Sequence, residues 1–390
     1  MMRSRAIHLP FRILGFPVVL DPSFLLVLPL FAYLIGSQIP AYVTQLASLG
    51  VDVDPAPLQR GATPYLLGLV AAIGLFTSVL IHEVGHAVVA RRYGVKVKEI
   101  RLWFLGGVAQ FEEMPRQRGA EAVVAIVGPL TSIAVGALAW GAMQLVEGGA
   151  GLVLLSYLAV TNIGLAVFNL LPALPLDGGR VLRSLLSLAM PHLRATGIAV
   201  SVSGALAILL GVYGFVTTQL FLVILAFFVY NAGRAEGQAA IVESAVGNRT
   251  VADLMTPDPI TVEPEMRLDQ FLQLLHFRRH TGYPVVDRSG RLLGYARLAD
   301  AQAAMAQAEE AGPDAEPDTV ATIVQDGETI APHESAMTAL RRVAAGDLGR
   351  LLVIDDAGHL VGVVSKTDLL ALIQEASGRQ EATRNQDRGV

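Results

Sequence analysis

Residues 61–81, GATPYLLGLVAAIGLFTSVLI, contain no Lys, Arg, Asp or Glu and run directly into His82-Glu83-Val84-Gly85-His86. An uncharged run of this length is enough to cross a bilayer, which takes ~20 apolar residues. On a helix, positions four apart share a face. His82 and His86 can therefore offer ring nitrogens to one zinc ion, while Glu83 lies beside it, able to accept a proton from water activated by the metal. The alternative reading is two histidines and a glutamate at a helix end facing water. The apolar lead-in argues against that, because ionisable groups at membrane depth are costly and tend to mark function.

Working outward, the runs 22–51, 122–146, 148–176 and 195–233 are also free of charged residues, and the last is long enough for two spans. The composition agrees: 53% of the 390 residues are apolar and 16% charged, with a mean hydropathy of +0.52, too apolar for an ordinary soluble enzyme. Spans are expected at about 22–40, 64–92, 119–146, 150–171, 196–217 and 218–235, the last two divided at Thr217-Thr218-Gln219. Cations before span one, between spans two and three and between spans four and five place those loops on the cytoplasmic side; the alternate loops hold only Arg60. Both termini are then cytoplasmic in a multi-pass protein of the cell membrane. The start of the chain lacks the order of a cleaved signal peptide, so the first span reads as retained.

Charge divides the chain. Through Glu236 there are 15 Lys and Arg against 11 Asp and Glu, a net +4; the remainder has 14 against 23, a net −9. The second half is thus an acidic, soluble appendage with no basic patch for nucleic acid. With no cysteine, a metal must be held by nitrogen and oxygen.

A catalytic zinc usually has three protein ligands and one open position. The third ligand must lie on the same side of the membrane as the histidines, and Asp177 does. It sits in Asn169-Leu170-Leu171-Pro172-Ala173-Leu174-Pro175-Leu176-Asp177-Gly178-Gly179-Arg180, where prolines stop the preceding helix and the glycine pair is expected to form a tight turn. Asp177 as a helix cap or turn residue is the alternative.

Together these two segments resemble the site-2 protease family of intramembrane zinc metalloproteases, whose H-E-x-G-H and N-x-x-P-x-x-P-x-D-G-G-R patterns they match in the right order. The resemblance covers most of residues 10–235. It implies that His82, His86 and Asp177 are zinc ligands, that Glu83 is the catalytic base, and that spans two to four form the core; it also implies a role for Asn169 in orienting substrate. The reaction is then peptide hydrolysis in which Glu83 takes a proton from the attacking water and returns it to the leaving nitrogen, with no covalent intermediate.

A substrate helix must be unwound locally to be cut. Residues 100–111, IRLWFLGGVAQF, are rich in strand formers around a Gly pair and too interrupted to span. They are expected to form a membrane-associated hairpin whose edge pairs with an extended substrate, Gly106 and Gly107 allowing close backbone approach; the family has a comparable strand. Gly128-Pro129 reads as a kink or a close helix contact. The other histidines, His8, His192, His276, His280, His333 and His359, show no ligand spacing with a partner carboxylate; His276 and His280 are four apart on an expected helix, which alone is a weak signal, and all six read as structural or exposed.

After Glu236 a pattern of two short apolar runs across an Asp/Gly turn occurs twice, Tyr283 to Gly294 and Leu351 to Gly362, offset by 68 residues. The copies resemble a pair of cystathionine-β-synthase (CBS) domains, starting near Leu254-Met255-Thr256-Pro257 and near Val320. Such pairs bind adenine nucleotides, and the resemblance implies ATP, ADP or AMP as a ligand. Its ribose-binding pattern is met by Gly362-Val363-Val364-Ser365-Lys366-Thr367-Asp368; in copy one Arg297 replaces the hydroxyl residue while Asp300 remains. Ser365, Asp368 and Asp300 are the candidate nucleotide residues, with one competent site expected rather than two. A pair that only dimerises or packs on the membrane half is the alternative.

The expected architecture is an α-helical polytopic membrane protein, with about six transmembrane helices and a small β hairpin, joined to an α/β CBS pair. Its parts are a membrane protease domain (1–240), CBS domains (250–310 and 317–376) and a disordered tail (377–390). Expected partners are transmembrane substrates such as anti-sigma factors, membrane-bound transcription regulators or remnant signal peptides, and a second copy through the CBS pair. The competing reading is a CBS-regulated metal transporter or channel, which would not need Glu83 directly after the first histidine.

Overall fold

Each uncharged run folds as a long helix. In the computed structural model these are α1 (Pro22–Ser48), α3 (Thr63–Arg92), α4 (Ala120–Met143), α5 (Gly149–Asn169), α7 (His192–Val216) and α8 (Leu220–Val246), with a short α2 (Pro55–Leu58) after the first. All six are long and apolar enough to span a membrane. The structure describes residues 7–51, 53–104, 106–111, 117–247, 249–278, 281–311, 319–346, 349–369 and 371. The expected disordered tail, most of the linker at 309–319 and His280 lie outside them. The chain divides into two units, Met1–Gln238 and Ala239–Val390.

Helix ends follow local chemistry. Asp21 caps α1, its Oδ1 accepting from the Ser23 amide at 3.0 Å, with Pro22 at the first helical position where a missing amide costs nothing. Arg91 and Arg92 close α3, where cations favour the helix C-terminus. The break between α7 and α8 falls at Thr217-Thr218-Gln219, with Thr218 left-handed (φ 53°). α8 then continues past residue 235, because Ala235, Glu236, Gln238, Ala239 and Ala240 are all good helix formers. Large apolar side chains point outward along the bundle, Leu26, Leu138 and Phe215 each at least three-quarters exposed, the pattern of helices solvated by lipid rather than water.

The hairpin expected at 100–111 forms as β3 (Val97–Trp103) and β4 (Gly106–Phe111). It belongs to a larger sheet. A second hairpin, β1 (Ile7–Ile13) and β2 (Phe16–Leu20), turns at Leu14-Gly15, both with positive φ as a tight two-residue turn requires. β2 then runs parallel to β3, giving the order β1-β2-β3-β4 with β4 at an edge.

A further element absent from the sequence reading is α6 (Asp177–Ala189). Its pattern is inverted, with Asp177, Arg183 and Ser184 buried and Leu185 and Leu188 exposed. The expected tight turn at Gly178-Gly179 is therefore corrected: both glycines are helical, in the first turn of α6. They are needed for a different reason, since a Cβ on either would run into the backbone of 170–174.

The second unit contains β5 (Thr256–Pro257), α9 (Leu268–Arg278), β6 (Gly282–Val286), β7 (Leu292–Arg297), α10 (Leu298–Ala311), a 3-10 turn (Val320–Ile323), β8 (Thr329–Ile330), α11 (Ala336–Ala345), β9 (Arg350–Ile354) and β10 (Leu360–Ser365). The repeat is visible in matching turns: Asp287 Oδ1 accepts from the amides of Ser289 and Arg291, and Asp355 Oδ1 from those of Ala357 and His359. The lead segments are exchanged between the copies. Thr256–Pro257, where the first copy was expected to start, pairs with β10 of the second, and Val320 and Ile323 pack into the core of the first with Leu268, Phe271 and Val285.

Candidate metal centre

α3 carries His82 and His86 on one face, both buried. Asp177 reaches them from 95 residues away, at the first position of α6, where the helix N-terminus favours an anion. Its Oδ2 lies 3.0 Å from His82 Nε2 and 3.3 Å from His86 Nε2, and the two Nε2 atoms are 3.1 Å apart. Ligands at ~2.0–2.1 Å from a tetrahedral zinc stand about 3.3 Å from one another, so the three atoms are spaced to hold one. Among the described residues this is the one group of three that could hold a metal.

For His86 the outer ring nitrogen fixes which nitrogen offers its lone pair inward. His86 Nδ1 lies 2.8 Å from the Val124 carbonyl oxygen. A carbonyl only accepts, so Nδ1 carries the proton and Nε2 presents its lone pair to the centre. His82 Nδ1 lies 2.9 Å from Ser132 Oγ. Val124 and Ser132 belong to α4 and were not anticipated; a backbone carbonyl and a lone serine carry no sequence motif.

Glu83 is half-buried and turned toward the sheet. The Ala109 amide on β4 donates to Glu83 Oε2 at 3.0 Å. A Cβ on Gly107 would stand 2.5 Å from Glu83 Cγ, so the strand can lie this close only with glycine there. Gly106 has φ 130° and pairs with Trp103 across the hairpin turn. Asn169 is the last residue of α5, half-buried, and its side chain makes no hydrogen bond among the described residues. A different asparagine, Asn162, is fully buried and donates to Ser78 Oγ at 3.0 Å, one turn before His82.

The segment that delivers Asp177 is held from several sides. The Leu174 amide donates to Ser203 Oγ of α7 at 2.7 Å. Arg183 forms an ion pair with Glu121 of α4 and lies 3.0 Å from Glu236 Oε1 of α8. Ser184 Oγ accepts from the Ala122 amide in the first turn of α4, where Gly119 offers no capping side chain.

In the second unit, Ser365 and Asp368 cap one another. Asp368 Oδ2 accepts from the Ser365 amide and hydroxyl at 2.9 and 2.6 Å, and the Asp368 amide donates to Ser365 Oγ at 3.3 Å. Asp300 lies in the first turn of α10, its Oδ2 3.6 Å from Arg297 Nε. His359, read as having no carboxylate partner, has one: its Nδ1 is 3.2 Å from Asp355 Oδ2, within a turn.

A family model described as peptidase family M50 matches residues 70–149 and 144–210. A zinc metalloprotease of Methanocaldococcus jannaschii is 31% identical over 338 residues, covering 86% of this chain and 93% of that one. The chain belongs to peptidase family M50. Rip3 of Mycobacterium tuberculosis is 32% identical to this M50 protease over 381 residues, 93% of this chain and 91% of Rip3. A solved site-2 protease from Methanocaldococcus jannaschii is 31% identical, covering 60% of this chain and 95% of its own, with a TM-score of 0.42. CBS domains match at 251–306 and 321–375. The protein is thus a multi-pass, site-2 type zinc metalloprotease with two CBS domains, which sets aside the transporter reading.

Proposed function

We propose that this M50 protease is an intramembrane endopeptidase that cuts transmembrane proteins near their cytoplasmic side. His82, His86 and Asp177 hold the zinc, and Glu83 moves the proton. The observation that carries this reading is the convergence of three buried ligand atoms beside a carboxylate that touches an edge strand. A bound zinc ion supplies Lewis acidity, polarising a peptide carbonyl and acidifying water. Glu83 accepts the water's proton at its carboxylate and delivers it to the departing amide nitrogen. β4, with Gly106 and Gly107, takes the unwound substrate as an added strand, and Asn169 at the end of α5 orients it.

The concentration of Arg and Lys in alternate loops supports cytoplasmic termini. Anti-sigma factors, membrane-bound transcription regulators and remnant signal peptides are the substrate classes we infer. For the second unit we infer adenine-nucleotide binding that modulates cleavage, through Ser365 and Asp368 or through Asp300, and association of two chains. The decisive experiment is cleavage of a model transmembrane peptide by purified protein. Glu83→Gln should keep one zinc per chain and lose cleavage; cleavage at the wild-type rate by that variant would reject the assignment. Calorimetry of the full-length protein with ATP, ADP and AMP tests the nucleotide reading, and no heat with any of the three would reject it.

A further inference from the structure

On α4 the residues Val124, Gly128 and Ser132 follow one another at intervals of four, so they form a single stripe along the helix. That stripe faces His82 and His86, themselves four apart on α3. The Val124 carbonyl takes the His86 Nδ1 proton at 2.8 Å and Ser132 Oγ meets His82 Nδ1 at 2.9 Å. Between these two contacts stands Gly128. A Cβ built on it would lie 2.5 Å from His82 Nε2 and closer still to His86 Nε2 and Cε1. Both Nε2 atoms face inward, toward Asp177 Oδ2. The volume that a side chain at 128 would take is therefore the volume in front of the ligand atoms. Gly128 and Ser132 are both buried, so neither contact can be relaxed into solvent.

We propose that this stripe of α4 is part of the metal-holding machinery. Ser132 is a positioning residue that fixes the His82 ring, and Gly128 keeps open the space that the metal and its non-protein ligand need. The inference rests on the assignment of His82, His86 and Asp177 as zinc ligands. It gives a reason for the glycine that precedes Pro129 inside a long spanning helix. A methyl group at 128 forces either the rings or the metal to move. Loss of the Ser132 hydroxyl leaves the buried His82 Nδ1 without its partner and the ring free to turn. Partners of this kind beyond the ligands themselves typically contribute 10–100-fold in metal affinity.

The test measures zinc rather than activity. Full-length wild type, Gly128→Ala, Ser132→Ala, Ser132→Thr and Gly136→Ala are purified, stripped with chelator and titrated with zinc against a competing indicator, with X-ray absorption on the reloaded proteins. Gly136, two turns further along α4, packs against Ala159 and Ile163 rather than the histidines, so Gly136→Ala reports a purely structural disturbance of the same helix. Ser132→Ala should weaken zinc about 10–100-fold, Ser132→Thr should recover most of the loss by restoring a hydroxyl, and Gly128→Ala should lose the metal or show altered zinc–nitrogen distances. Gly136→Ala should load like wild type. Wild-type affinity in Ser132→Ala, together with wild-type loading and distances in Gly128→Ala, would overturn the proposal, as would equal losses in Gly128→Ala and Gly136→Ala. Failure of the wild type itself to bind zinc would instead sink the ligand assignment beneath it.

Discussion

The amide of Ala109, on the edge strand of the membrane-unit sheet, donates to the carboxylate of Glu83 on the helix that carries the histidines. The strand and the Glu83 carboxylate are therefore one assembly, and their spacing is set by Gly107, which has no side chain to separate them. Gly107→Val should displace the Glu83 carboxylate by about an ångström or more and lower cleavage by at least ~100-fold, the cost typical of misplacing a reacting group by that distance. Zinc content should stay at wild-type level. Activity within a few-fold of wild type would show that the strand can give way.

The three proposed ligand atoms come from elements that only the fold brings together, so removing the metal should loosen the fold as well as stop the reaction. Treatment with a zinc chelator should abolish cleavage and lower the thermal unfolding midpoint, and added zinc should restore both. His82→Ala and Asp177→Ala should start at the lowered midpoint and show no response to either treatment.

Arg183 is held between Glu121 and Glu236 and is itself buried. Removing one partner of a buried ionic cluster leaves the remaining charges uncompensated, at a cost of about 3–5 kcal/mol. Arg183→Ala should unfold at a distinctly lower temperature in detergent. The triple change Arg183→Met, Glu121→Gln, Glu236→Gln, which leaves no charge stranded, should recover much of the loss. Because α6 begins with Asp177, zinc affinity should fall in the single variant and recover with stability in the triple one.

Asp368 accepts two hydrogen bonds from Ser365 at the start of the helical turn 366–369 that follows β10. Asp368→Ala therefore removes a helix cap whatever its effect on ligands, and should cost about 0.5–2 kcal/mol. Thermal unfolding of the full-length protein without nucleotide would detect this as a lowered transition of the second unit. An unchanged transition would mean that the cap contributes nothing to its stability.

The sequence by itself determined the six apolar spans, the change of composition after Glu236, the internal repeat and the three side chains, His82, His86 and Asp177, that the structure brings together. Each of these is written in local composition or short spacing: uncharged runs match the thickness of a bilayer, and a four-residue interval places two imidazoles on one helical face. It also determined that Gly106 and Gly107 lie in a hairpin, because strand formers flank a Gly pair in a segment too short and too interrupted to span. What only the tertiary structure decided involves partners far apart in the chain. The parallel pairing of β2 with β3 joins a hairpin near residue 15 to one near residue 105. α6 escaped a reading based on apolar faces because it buries Asp177, Arg183 and Ser184 and exposes its leucines. Gly178 and Gly179 are required by the backbone lying against them, not by a turn. Ser132 and the Val124 carbonyl matter because α4 crosses α3 at the histidines, and Asp368 spends its carboxylate on its own helix. Such roles depend on which surfaces meet, and helix crossing, strand register and long-range ion pairing leave no periodic mark on the chain.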